Sequence, residues 1–92
     1  MKLRLTRPAS RQLESVLRHI ATHHPQGAKN VNDRLRSVMH VLVEHPYAGR
    51  VTARPPIRRI VALPYPYAIT YTVAEDKIIV LGIRHTSPRP QE

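Results

Sequence analysis

The segment Lys77–His85, Lys-Ile-Ile-Val-Leu-Gly-Ile-Arg-His, constrains the fold more than any other. It has the length and β-branched content of a strand, and both of its faces are apolar. By simple alternation Ile78 and Val80 point one way, and Ile79, Leu81 and Ile83 point the other. Such a strand belongs inside a sheet, with neighbours on both edges. One neighbour stands directly before it. Tyr67, Ile69, Tyr71 and Val73 alternate with Ala68, Thr70, Thr72 and Ala74, and Glu75-Asp76 supplies a tight turn. Further upstream, Pro55-Pro56 precedes the β-branched run Ile57–Leu63, and Pro64 and Pro66 bracket Tyr65 at a bend. These segments predict a three-stranded meander.

The second neighbour must come from the other end of the chain. Leu3 and Leu5 alternate with Lys2, Arg4 and Thr6, a short strand by period. Thr6 can then cap a helix that tolerates Pro8 in its first turn. Ala9, Leu13, Val16, Leu17, Ile20 and Ala21 form one apolar stripe. His24-Pro25-Gln26-Gly27 interrupts it, and a second stripe runs through Ala28, Val31, Leu35, Val38, Met39 and Leu42 until Pro46 ends the helix and Gly49 supplies a turn. Two stripes joined by a few residues make an antiparallel helix hairpin, which returns the first strand to the side of the last. The expected fold is α+β, one domain over residues 1–92. Its order is β-α-α-β-β-β, with the hairpin packed on one face of a four-stranded, mainly antiparallel sheet.

A chain of 92 residues builds a single core with little margin. It has no cysteine to staple that core, and no Phe or Trp to fill it. Its formal charge is +9, spread as +5 over residues 1–49 and +4 over residues 50–92, so the folded body rather than a tail is positive. Such a field attracts polyanions or an acidic protein, and twelve of the fifteen bases are Arg, which suits bidentate contacts. Met1–Arg7 lacks the apolar run of a secretory signal, and Ile60–Ala74 is too short and too broken by proline to span a bilayer. A cytoplasmic location with no membrane contact is expected.

Several residues carry both a chemical and a bland reading. His19 and His23 stand at i,i+4, but histidines in the last turn of a helix suit its dipole, and no metal site is expected. With a two-residue turn at Glu75-Asp76, Tyr67 stands opposite Arg84 on the face of Ile69, Tyr71 and Val80. That pair is either a stacking platform for phosphate or plain cross-strand packing.

The order of elements and four local motifs resemble the ParE/RelE superfamily of toxins from type II toxin–antitoxin systems. Thr6-Arg7-Pro8-Ala9-Ser10-Arg11-Gln12-Leu13 is similar to the family's passage from strand one into helix one. His45-Pro46-Tyr47-Ala48-Gly49-Arg50 is similar to its exit from helix two. Ile57-Arg58-Arg59-Ile60 followed by Tyr65-Pro66-Tyr67-Ala68-Ile69-Thr70-Tyr71 is similar to its arginine and tyrosine strands, and Ile78–Ile83 with Arg84-His85 to its last strand and basic tip.

The resemblance implies one of two activities. ParE-like members poison DNA gyrase without an obvious catalytic constellation. RelE-like members cut mRNA in the ribosome, which requires a base, a charge stabiliser and an acid. Arg59, Arg84 and His85 are the candidates for that set. The usual lysines or glutamate of the second strand and the tyrosine near the C-terminus are missing: no Lys lies between Lys29 and Lys77, no Glu between Glu44 and Glu75, and no Tyr follows Tyr71. The ParE-like reading is therefore preferred, with Arg84, His85 and Arg89 as target contacts and no cofactor. An mRNA endonuclease, or an inactive relic that still binds antitoxin, is the alternative. The resemblance also implies a cognate antitoxin, and a body at +9 favours an acidic one. Leu13, Leu17, Leu35, Leu42, Arg58 and Tyr71 are expected to contact it.

Overall fold

The computed structural model describes residues 1–87. The chain runs β1 (Lys2–Leu5), α1 (Arg7–His23), α2 (Pro25–Glu44), β2 (Arg50–Val51), β3 (Arg58–Val61), β4 (Tyr67–Val73) and β5 (Lys77–His85). The sheet order is β1-β5-β4-β3-β2. As the two apolar faces of β5 required, that strand is internal, parallel to β1 and antiparallel to β4. The sheet has five strands rather than four, because Arg50–Val51 adds a short edge beside β3. The arginine strand is shorter than Ile57–Leu63, since a turn begins at Ala62, whose carbonyl accepts from the Tyr65 N–H at 3.0 Å.

The helix hairpin is built by local chemistry. Thr6 caps α1, its hydroxyl accepting from the Ala9 N–H at 3.2 Å. A single residue, His24, connects the helices. Its N–H donates to Ile20 O at 2.7 Å and closes α1, while its Nδ1 accepts from the Gly27 N–H at 2.8 Å and caps α2. Ala9, Leu13, Val31, Leu35, Val38, Met39 and Leu42 from the hairpin pack against Ile69, Tyr71, Ile78, Val80 and Ile83 of the sheet. Burial of these side chains, at about 1.5–3 kcal/mol each for the large ones, drives the fold.

One irregularity changes the reading of the last strand. From Val73↔Ile78 to Tyr71↔Val80 the pairing follows the two-residue turn. Between Thr70 and Tyr71 the register shifts by one, so that Thr70 pairs with Gly82 and Leu81 is the extra residue of a β-bulge. Beyond it, Ile69 pairs with Ile83, Ala68 with Arg84 and Tyr67 with His85. Ile83 therefore joins Ile78 and Val80 in the core instead of pointing away from them, and the expected Tyr67–Arg84 pair does not form. The bulge lies where β5 outruns its neighbour, since β1 pairs only as far as Val80. Gln12 of α1 takes over there, its Oε1 accepting from the Ile83 N–H at 2.9 Å. Gly82 makes this approach possible, because a Cβ there would stand 3.0 Å from Gln12 Oε1 and 3.2 Å from Thr70 Oγ1.

Candidate functional site

Residues paired across a ladder share a face, so the register sorts the polar side chains. The helix side carries Leu3, Ile78 and Val73, then Leu5, Val80, Tyr71 and Arg58, then Ile83, Ile69 and Ile60, and finally His85 with Tyr67. The opposite face carries Lys2 and Lys77; Arg4, Ile79 and Thr72; Gly82, Thr70, Arg59 and Arg50; and Arg84, Ala68 and Val61. The five strands hold seven Lys or Arg and no Asp or Glu, and six of the seven lie on this helix-free face. Among the described residues the ion pairs are Arg18–Glu14, Lys29–Asp33 and His40–Glu44, all i,i+4 on helix surfaces. None of them neutralises the sheet.

This sorting separates the three residues that RNA cleavage would need together. Arg59 and Arg84 are exposed on the helix-free face, two strands apart across β4 and offset by two residues along it, about 12 Å apart by strand geometry. His85 alternates to the other side, where its ring meets Tyr67 edge-on at 5.3 Å between centroids. Its Nδ1 accepts from the Ser87 N–H at 3.1 Å. Without the extra residue Leu81 the histidine would fall on the open face and Arg84 on the core side. Arg89, the remaining candidate for target contact, lies outside the described residues.

The residues expected to receive the antitoxin require correction. Leu35, Leu42 and Tyr71 are fully buried, and Leu13 nearly so. Their apolar side chains serve the core between hairpin and sheet, and no partner reaches them without opening it. Leu17 packs partly buried against that core. Arg58 is half-buried and holds the α2–β2 loop, its Nη1 donating to Gly49 O at 2.7 Å and to Tyr47 O at 3.3 Å, with its guanidinium 4.9 Å over the Tyr47 ring. Tyr71 holds the same loop from inside. Its hydroxyl donates to Pro46 O and accepts from the Gly49 N–H, both at 2.8 Å. A Cβ on Gly49 would come within 2.6 Å of that hydroxyl, which is why the position needs glycine. The loop so held delivers Arg50 to a place directly opposite Arg59. The large apolar side chains that do stand exposed include Tyr47, Val51 and Leu63.

His19 and His23 meet edge-on at 6.4 Å, and among the described residues no three potential metal ligands cluster. No helix there is long and apolar enough to cross a membrane.

The described residues thus form a five-stranded sheet with a helix hairpin on one face and a basic surface on the other. Residues 3–90 match the family model described as ParE toxin of the type II toxin–antitoxin system parDE, and the chain belongs to that family. Toxin RelE2 of Caulobacter vibrioides is 32% identical over 75 residues, covering 82% of this chain and 83% of the relative. The Sinorhizobium fredii protein Y4kP is 29% identical over 84 residues, covering 91% and 86%. Among solved structures, the chromosomal ParDE toxin–antitoxin system from P. aeruginosa superposes with a TM-score of 0.83 at 23% identity, covering 95% of this chain and 97% of that one; this likeness is one of fold.

Proposed function

We propose that this ParE-family toxin arrests growth by poisoning DNA gyrase in the cytoplasm, and that a cognate acidic antitoxin holds it inactive. The observation that carries the choice of target is the division of the sheet at the Leu81 bulge: Arg59 and Arg84 lie on one face and His85 on the other. Cleavage of RNA needs a proton acceptor beside the phosphate that the arginines would hold, and none lies among the strand residues of the helix-free face. A target contact needs only an exposed basic surface, and Arg84 and His85 both stand exposed at the end of β5.

A second reading rests on one observation. Arg59 and Arg84 share a face and have no acidic partner among the described residues, an arrangement able to hold a phosphodiester on the ribosome. Controlled expression of the intact chain separates the two. Gyrase poisoning gives growth arrest with DNA-damage signalling and delayed loss of protein synthesis. Ribosomal cleavage gives immediate translation arrest with cut mRNA. Expression without any growth effect rejects both.

A further inference from the structure

A target contact at Arg84 and His85 uses one end of the sheet, and most of the charge on the helix-free face has no role in it. Lys2, Arg4, Arg50, Arg59 and Arg84 are exposed on that face and Lys77 is half-buried. By strand geometry they spread over about 19 Å across the five strands and about 20 Å along them. They form three groups: Arg50 with Arg59, Arg84 alone, and Arg4 with Lys2 and Lys77. At nearest approach the groups stand about 12–16 Å apart. Nothing in the fold neutralises them. No ion pair among the described residues reaches the sheet, and Glu75 and Asp76, in the turn before β5, form none. Arg50 and Arg59 even face each other directly across the ladder, an arrangement that destabilises a sheet.

What the face lacks narrows the occupant. A protein partner needs a buried apolar centre, and the large exposed apolar side chains lie elsewhere. Val51 pairs with Arg58 on the helix side, Tyr47 stacks on Arg58, and Leu63 stands in the turn between β3 and β4. Unpaired bases need rings to stack on, and Tyr67 and Tyr71 both point to the helix side, which leaves no aromatic ring among the strand residues of the basic face. A nucleic-acid duplex needs neither. Its phosphates carry one negative charge per about 1.7 Å of axis and dominate its affinity for proteins. Its two backbones flank grooves about 6 and 12 Å wide. Cationic groups about 12–16 Å apart on a rigid sheet engage phosphates of both strands at once.

We propose that the helix-free face docks on the phosphate backbones of duplex DNA, with Arg50 and Arg59 on one side of a groove and Arg4 with its neighbouring lysines on the other. Contacts of this kind carry no sequence information. The inference rests on the reading of the chain as a gyrase poison, since gyrase works on duplex DNA, and it adds that the toxin engages the DNA as well as the enzyme. A phosphate held between Arg50 and Arg59 removes the repulsion left in the free toxin.

The test is fluorescence anisotropy of the intact chain with a labelled DNA duplex of about six helical turns or fewer, titrated across salt concentrations. Four to six phosphate contacts give a slope of log Kobs against log salt of about −4 to −5. Scrambling the duplex sequence should change nothing. A single strand of equal length, or oligoglutamate of equal charge, should bind at least about fivefold more weakly. Arg4→Gln and Arg59→Gln should each flatten the slope by about 1 and weaken binding about tenfold at low salt. Arg36→Gln, on α2 behind the sheet, should change neither. Arg50→Glu should also weaken the duplex while raising Tm by about 2–6 °C, because a facing pair of like charges becomes an attractive one, so that lost binding is not lost fold. A slope flatter than about −2 overturns the proposal. So does equal or tighter binding of the single strand or of oligoglutamate, or an equal loss in Arg36→Gln. Inhibition of gyrase is read separately. Inhibition by a chain that binds no duplex removes the DNA face and leaves the gyrase reading intact, whereas duplex binding without inhibition does the reverse.

Discussion

Replacing Tyr71 by Phe removes one oxygen atom and two hydrogen bonds. The Tyr71 ring is fully buried, and its hydroxyl joins Pro46 O to the Gly49 N–H at 2.8 Å on each side. Phe fills almost the same volume, so the cost comes from the orphaned partners. The Gly49 N–H is buried and finds no substitute, at about 1–3 kcal/mol. The Pro46 carbonyl is only half-buried and recovers water in part. The sum is about 2–3 kcal/mol, or about 10–20 °C in Tm for a domain of this size. Thermal melting followed by far-ultraviolet circular dichroism measures it, with Tyr67→Phe as a control expected to move Tm by no more than about 3 °C. Gly49→Ala should cost more, because its Cβ meets the hydroxyl at 2.6 Å and Arg59 O at 3.0 Å. In the Tyr71→Phe background it should cost only somewhat less, since the hydroxyl is gone but the ring carbon Cε1 remains 2.8 Å from that Cβ. A loss below about 0.5 kcal/mol for Tyr71→Phe, or simple additivity of the two changes, would refute the idea that this hydroxyl positions the loop carrying Arg50.

Other expectations follow from single contacts. Gln12→Leu should leave the Ile83 N–H without its acceptor, lower stability by about 1–2 kcal/mol and speed hydrogen exchange at Ile83 more than at Val80. His24→Ala should remove the cap of α2 and cost about 1 kcal/mol in urea unfolding, a loss that Asn at the same position should largely restore. Lys29→Ala should change stability by no more than about 0.5 kcal/mol although its pair with Asp33 measures 2.9 Å, because both side chains are more than half exposed.

The sequence was most legible where period and chemistry agreed. The helix hairpin followed from two apolar stripes around His24-Pro25, and the internal position of β5 followed from its two apolar faces. The bulge was hidden by the same property that made β5 recognisable: with Ile or Leu available in both phases, a slip of one residue leaves the apolar pattern intact. Gly82 was the available signal, since a glycine inside a strand marks a bulge or a close approach. That slip exchanged the faces of Arg84 and His85, putting Arg84 rather than His85 on the face of Arg59, and so decided the composition of the candidate site. The strand Arg50–Val51 is too short to show a period. Leu13, Leu35, Leu42 and Tyr71 were assigned to a partner surface because an apolar stripe reads alike whether it meets the chain's own sheet or another protein. Only burial separates the two, and burial is a property of the fold.

The most direct test of the target is a reconstituted one. Purified toxin is added to gyrase, ATP and relaxed plasmid, and in parallel to ribosomes translating a defined mRNA. Loss of supercoiling with intact mRNA, relieved by Arg84→Glu but not by His85→Gln alone, is the result expected of a docking surface without acid–base chemistry. Cut mRNA with normal supercoiling, abolished by His85→Gln, would contradict it.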